Sequence, residues 1–210
     1  MFSLKNKSFI SRHLDINSLN KEKRSIIHGV ECLLRQKFSS CRTFMAGGCG
    51  AFLLDRTSSY TDIDIYVEIN ENIQEWMRDN CAGSRISSYL YQSKWPCCYL
   101  DFESFIFNII FIESRPQLSL EARILSILKS FDLNVCKVAI HFPRRGSPVL
   151  VEWKLTDVNF NKVEKKDRIT KYKERLKEKK LQFEPNSLAM SAYTVVVDHD
   201  DSYRAAGQIL

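Results

Sequence analysis

Three glycines in four residues, Gly47-Gly48-Cys49-Gly50, separate two short apolar stretches, Thr43-Phe44-Met45-Ala46 and Ala51-Phe52-Leu53-Leu54. A bend this free of side chains suits a strand that turns abruptly into a short helix. After a Thr57-Ser58-Ser59 turn, Ile63, Ile65 and Val67 alternate with Asp62, Asp64 and Tyr66, the period of a strand with one polar face. Strand, glycine turn, helix and half-polar strand in that order call for a sheet covered by helices.

The remaining chain fills in that plan. Ile26, Ile27, Val30, Leu33, Leu34 and Phe38 recur at steps of three and four, which predicts an amphipathic helix over 18–38 capped by Asn17 or Ser18. A helix is expected around 71–80. Tyr99 to Ile112 reads as a long β-rich run, and its nearly all-apolar part, 105–112, as a buried strand. Leu120, Ile124, Ile127 and Leu128 share one face of a helix over 119–130. Strands follow at 131–142 and 149–153, then a basic helix over 163–180 that Pro185 stops, and a last strand at 193–197 before the acidic cluster Asp198, Asp200 and Asp201. The fold class is therefore α/β (α+β): a small mixed β-sheet flanked by helices, with a basic helical C-terminal extension. The expected division is an N-terminal segment (1–17), a core (18–153) and an extension with its tail (154–210).

Composition narrows the function classes. No apolar run approaches the ~18 residues of a membrane span, and the Met1-Phe2-Ser3-Leu4-Lys5 start lacks the apolar core of a secretory signal. Seven cysteines, an odd number without CxxC spacing, suit free thiols in a reducing, intracellular compartment better than disulfides or a zinc site. The net charge is +6, and residues 154–180, with 11 basic and 5 acidic side chains, carry all of it. An anionic partner is sought there. Arg168, Lys171 and Arg175 fall on one helical face and are candidates for phosphate or nucleic-acid contact; Tyr172 beside them either stacks on a base or belongs to the core.

The chemistry concentrates at the glycine turn. Side chains two apart on a strand point the same way, so Asp62 and Asp64 project together, with Cα atoms about 6–7 Å apart. Two carboxylates so placed raise each other's pKa unless a cation lies between them, and hard oxygen donors suit Mg²⁺. The open turn upstream leaves backbone N–H groups for a phosphate.

Gly47-Gly48 after a strand, Asp62-x-Asp64 on the next, and Asp132 in Phe131-Asp132-Leu133-Asn134-Val135-Cys136 resemble the polymerase-beta-like nucleotidyltransferase superfamily. The last motif, with Arg168-Ile169-Thr170-Lys171-Tyr172, is similar to predicted nucleotidyltransferase-fold domains of eukaryotic and viral proteins. The resemblance spans roughly residues 24–175. It implies transfer of a nucleoside monophosphate from an NTP to a hydroxyl, an RNA 3′ end among the candidate acceptors. It also implies two Mg²⁺ (or Mn²⁺) ions on Asp62, Asp64 and a third carboxylate, which is Asp132 by this likeness, with Asp101 and Glu103 on an alternating stretch as rivals, and a phosphate turn of Gly47, Gly48 and Cys49. Cys49 stands where the family usually has Ser or Thr, and a thiol is the poorer donor. The alternative is a catalytically degenerate copy of the fold that binds nucleic acid or a protein partner.

Overall fold

The computed structural model describes residues 9–81, 95–155, 158–160, 163 and 166–177. Seven strands form one sheet: β1 (Phe9–His13), β2 (Thr43–Ala46), β3 (Ile63–Glu68), β4 (Cys97–Phe102), β5 (Phe105–Ile112), β6 (Val138–His141) and β7 (Val149–Trp153). Their spatial order is β1-β7-β6-β2-β3-β5-β4. Neighbours run antiparallel except β3 and β5, which are parallel with Asp64 opposite Asn108. The mixed sheet expected from the sequence is present.

Among the described residues five α-helices cover it: α1 (Lys21–Lys37), α2 (Gly48–Leu53), α3 (Glu71–Cys81), α4 (Leu120–Lys129) and α5 (Lys166–Lys177). Alternation along the strands divides the core. Met45, Ile63, Ile65, Val67, Phe107, Ile109 and Ile140 face one side with Ile26, Ile27, Val30 and Leu33 of α1 and Ile73 of α3. Phe44, Tyr66, Ile112 and Ala139 face the other, against Ile124, Ile127 and Leu128 of α4. Each fully buried aliphatic or aromatic side chain contributes ~1.5–3 kcal/mol of transfer free energy. A third cluster joins Tyr172 and Leu176 of α5 to Leu133, Val135 and Cys136, and so fixes the basic helix to the core.

Several elements differ from expectation. Helix α1 starts later, because the Asn20 side chain accepts from the Lys23 N–H and so caps it. Helix α2 begins at Gly48, immediately after Gly47, whose φ of 96° lies in the left-handed region. The run 99–112 is a hairpin, β4 to β5, turned at Glu103, whose φ is 53°. The strand predicted over 131–142 is shorter: Asn134–Cys136 form a 3-10 turn, closed by the Lys137 N–H on the Asn134 carbonyl, and pairing starts at Val138. Asp132 therefore lies before that turn and not on a strand. Residues 9–13, expected outside the core, form the edge strand β1 on β7. The last predicted strand and the acidic cluster at 198–201 lie outside the described residues.

None of the six described cysteine side chains, the adjacent Cys97 and Cys98 included, is in a disulfide. Among the described residues no helix is long and apolar enough to cross a membrane.

Candidate functional site

The site is built where β2 ends and β3 begins. Ala46 pairs with Asp64, so the glycine turn that follows β2 lies against the carboxylates at the start of β3. The contact is close: a Cβ on Gly47 would stand 3.0 Å from Asp64 Oδ2. Asp62 is the residue just before β3, and Ile63 between the two acids points into the core. The pair predicted from the sequence thus shares one face beside the turn.

Burial sets the electrostatics. The Asp64 carboxyl is pushed up to about 7, first by desolvation and then by the negative charge of Asp62. Two groups oppose the shift: Asn108 Nδ2, which donates to Asp64 Oδ1 at 2.8 Å, and the positive charge of Arg168. Asn108 Oδ1 is buried and has no hydrogen-bond partner. An amide oxygen is also a hard donor of the kind divalent cations accept. Sequence reading passed over Asn108, although it is the one strongly polar residue in Phe105–Ile112. That isolation was the available signal.

Cys49, expected to present its thiol to a phosphate, is fully buried in the core. Burial and the charges of Asp64 and Asp62 push its pKa upward, which keeps it a neutral thiol. The Cys49 side chain is therefore not exposed at the turn, where only backbone is open to an anion.

Helix α5 lies over the same corner. A Cβ on Gly48 would meet the Tyr172 hydroxyl at 3.0 Å. Tyr172 is buried, and its hydroxyl is hydrogen-bonded to the Cys136 sulfur. It is core and not an exposed stacking platform. Three of the α5 cations, Arg168, Lys171 and Arg175, lie around it. Lys171 Nζ and Arg175 Nη2 both donate to Thr61 Oγ1, at 2.6 and 2.9 Å, directly beside Asp62. Arg168 and Arg175 also lie over the Tyr172 ring, 5.8 and 5.4 Å from its centroid. The expected basic face exists and it borders the carboxylate pair.

Asp132 does not complete the pair. Its Oδ1 lies 3.1 Å from Arg168 Nη2 in a partly exposed ion pair. Among the described residues, no group of three or more His, Cys, Asp or Glu side chains is gathered so as to hold a metal ion. The rivals fare no better: Asp101 is an exposed residue of the edge strand β4, and Glu103 sits in the hairpin turn. The side chains that come together are the carboxylates of Asp62 and Asp64 and the Asn108 amide, whose nitrogen faces Asp64.

No family model matches this chain, and no curated protein is significantly similar to it.

Proposed function

We propose that the chain is a divalent-metal-dependent nucleotidyltransferase. It would transfer a nucleoside monophosphate from an NTP to a hydroxyl, with release of pyrophosphate. The observation that carries this reading is the partly buried carboxylate pair at the glycine turn. Asp64 sits near neutrality because the site concentrates negative charge away from water, and a divalent cation relieves that cost. Asp62 and Asp64 would hold Mg²⁺ or Mn²⁺, with the Asn108 amide oxygen as the third protein donor. When bound, the metal would neutralise charge on the phosphoryl oxygens. The backbone at Gly47 and Gly48 and the cations Arg168, Lys171 and Arg175 would orient the phosphate chain. In this reading Asp132 holds Arg168 in place. The basic surface of α5 favours an RNA 3′ end as acceptor.

The experiment is incubation of the purified chain with each labelled NTP, Mg²⁺ or Mn²⁺ and mixed RNA. Labelled product that disappears in Asp62→Asn and Asp64→Asn is the expected result.

A second reading is a catalytically silent module that binds nucleic acid through α5. The pairing of Asp132 with Arg168 favours it, because it leaves the acid pair without a third carboxylate. RNA binding that persists with no transfer from any NTP would select this reading.

A further inference from the structure

A second cluster of charge lies at the opposite end of β3. Glu68, the last residue of β3, is four residues from Asp64, about 13 Å along the strand. It is buried between two arginines, with Arg42 Nη1 at 3.3 Å and Arg123 Nε at 3.6 Å. The second separation is too long for a hydrogen bond, and both Arg123 Nε and Glu68 Oε1 are buried without a hydrogen-bond partner. Arg123 Nη2 donates to the Glu113 carbonyl at 3.0 Å, so the unmet capacity of this guanidinium is at Nε. Arg123 is almost fully buried on α4, yet it lines a cavity of about 380 Å³. Trp95, Glu113, Arg115, Ser126, Ile127 and Ser130 complete the lining.

Position, charge and shape agree on what fits. The cavity opens beyond the carboxyl ends of β3 and β5, the parallel pair, which is where open α/β sheets commonly take ligands. Among the described residues Arg42, Arg115 and Arg123 are ion-paired with Glu68 and Glu113, and Glu113 is largely exposed, 3.4 Å from Arg115; Arg42 also donates to the Arg115 and Leu118 carbonyls. The local excess is positive. Ser126 is on α4 and Ser130 caps its C-terminal end; the Ser130 hydroxyl gives its proton to the Ile127 carbonyl and keeps its lone pairs for a donor. Trp95 is braced edge-on against Tyr66, with ring centroids 6.1 Å apart, and supplies an aromatic wall. The volume is at the small end of ligand sites and too large for a lone inorganic anion.

We propose that this cavity binds a nucleoside monophosphate. Its phosphate is received by Arg115 and Arg123, its ribose hydroxyls by Ser126 and Ser130, and its base by Trp95. A guanidinium receives a phosphate as a fork of two hydrogen bonds, and base–aromatic stacking tolerates any base. The site is separate from the carboxylate pair and does not depend on the function proposed above.

The test titrates the full chain with AMP in EDTA, followed by calorimetry and tryptophan fluorescence. EDTA removes the metal on which nucleotide binding at Asp62 and Asp64 depends. The expected result is one saturable site whose affinity falls at least tenfold in Arg115→Ala. Binding disappears in Ser126→Trp, which fills the cavity from an exposed position, and the fluorescence change disappears in Trp95→Phe. Thermal melts check that each variant is folded. Asp64→Asn retains the site. Four results overturn the proposal: no saturation at millimolar AMP, undiminished binding by folded Ser126→Trp, loss of binding in Asp64→Asn, or inorganic phosphate binding as tightly as AMP.

Discussion

Asn108 stands opposite Asp64 in the parallel pairing of β3 and β5, and its amide nitrogen holds the Asp64 carboxylate at 2.8 Å. This contact ties the candidate metal site to the middle of the sheet. It also predicts how the two positions depend on each other. Asn108→Ala removes a donor that keeps the Asp64 carboxylate ionised, so Mn²⁺ affinity at pH 7 falls by about tenfold or more, the usual consequence of losing a group that orients a ligand. Asn108→Asp supplies a third carboxylate. It binds Mn²⁺ more tightly than the parent and melts at a lower temperature without metal, because three acids then repel. Calorimetric titration and thermal melts of the three proteins check both statements; weaker Mn²⁺ binding in Asn108→Asp would show that residue 108 is not beside the ion.

The raised pKa of Asp64 makes stability depend on pH in a defined direction. From about pH 4, where an ordinary aspartate ionises, up to about 7, the folded chain keeps a proton that the unfolded chain releases. This group therefore makes stability fall as pH rises through that window and level off above it. Asp64→Asn removes the dependence: it raises the melting temperature at pH 8 and has little effect near pH 4. Each pH unit of the window corresponds to ~1.4 kcal/mol. Mg²⁺ competes with that proton, so it stabilises the parent chain at pH 8 and not at pH 5. Melts with and without Mg²⁺ across this range are the measurement.

The part of the site carried by local pattern was legible in the sequence. Alternation placed Asp62 and Asp64 on one face, and the glycines marked the turn beside them. What was not legible depended on pairing across the sheet. Phe131 to Val135 alternates like a strand, but Asn134–Cys136 close a 3-10 turn and carry Asp132 towards Arg168. Nothing local to either segment shows that α5 supplies the partner. Asn108 became a site residue only through its register with Asp64, which periodicity within β5 does not encode. Phe9–His13 was missed because an exposed edge strand shows no regular burial pattern; only pairing with β7 defines it. Tyr172 read as core or as a stacking surface until its contact with Gly48 and Cys136 decided for the core.

Gly47 and Gly48 are predicted to tolerate alanine unequally. Gly47 has φ 96°, and a methyl there meets Asp64 Oδ2. Gly47→Ala combines a left-handed backbone, costing ~1–2 kcal/mol, with displacement of the carboxylate. It therefore lowers both the melting temperature and Mn²⁺ affinity. At Gly48 the methyl meets the Tyr172 hydroxyl, the far end of a side chain. Gly48→Ala perturbs the packing of α5 and leaves Mn²⁺ affinity close to the parent. Parallel melts and Mn²⁺ titrations separate the two; equal losses of metal affinity would remove the special contact between Gly47 and Asp64.

Arg168 and Asp132 give the last prediction, and it distinguishes a metal ligand from an anchor. Their side chains are 44% and 33% exposed, so the pair itself contributes no more than ~1 kcal/mol to stability. The Arg168 charge also reaches Asp64 and holds its pKa down. Arg168→Ala therefore moves the pH at which Mn²⁺ binding is half-complete upward, because Asp64 then keeps its proton longer. Asp132→Asn keeps a side-chain oxygen that can accept from Arg168, so Arg168 stays charged and held, and Mn²⁺ affinity at pH 8 stays within about threefold of the parent. A carboxylate that ligated the ion directly would behave otherwise, since its loss would weaken binding as severely as Asp64→Asn does. Mn²⁺ titrations of the four proteins from pH 6 to pH 9 decide the matter, and a collapse of affinity in Asp132→Asn would return residue 132 to the metal.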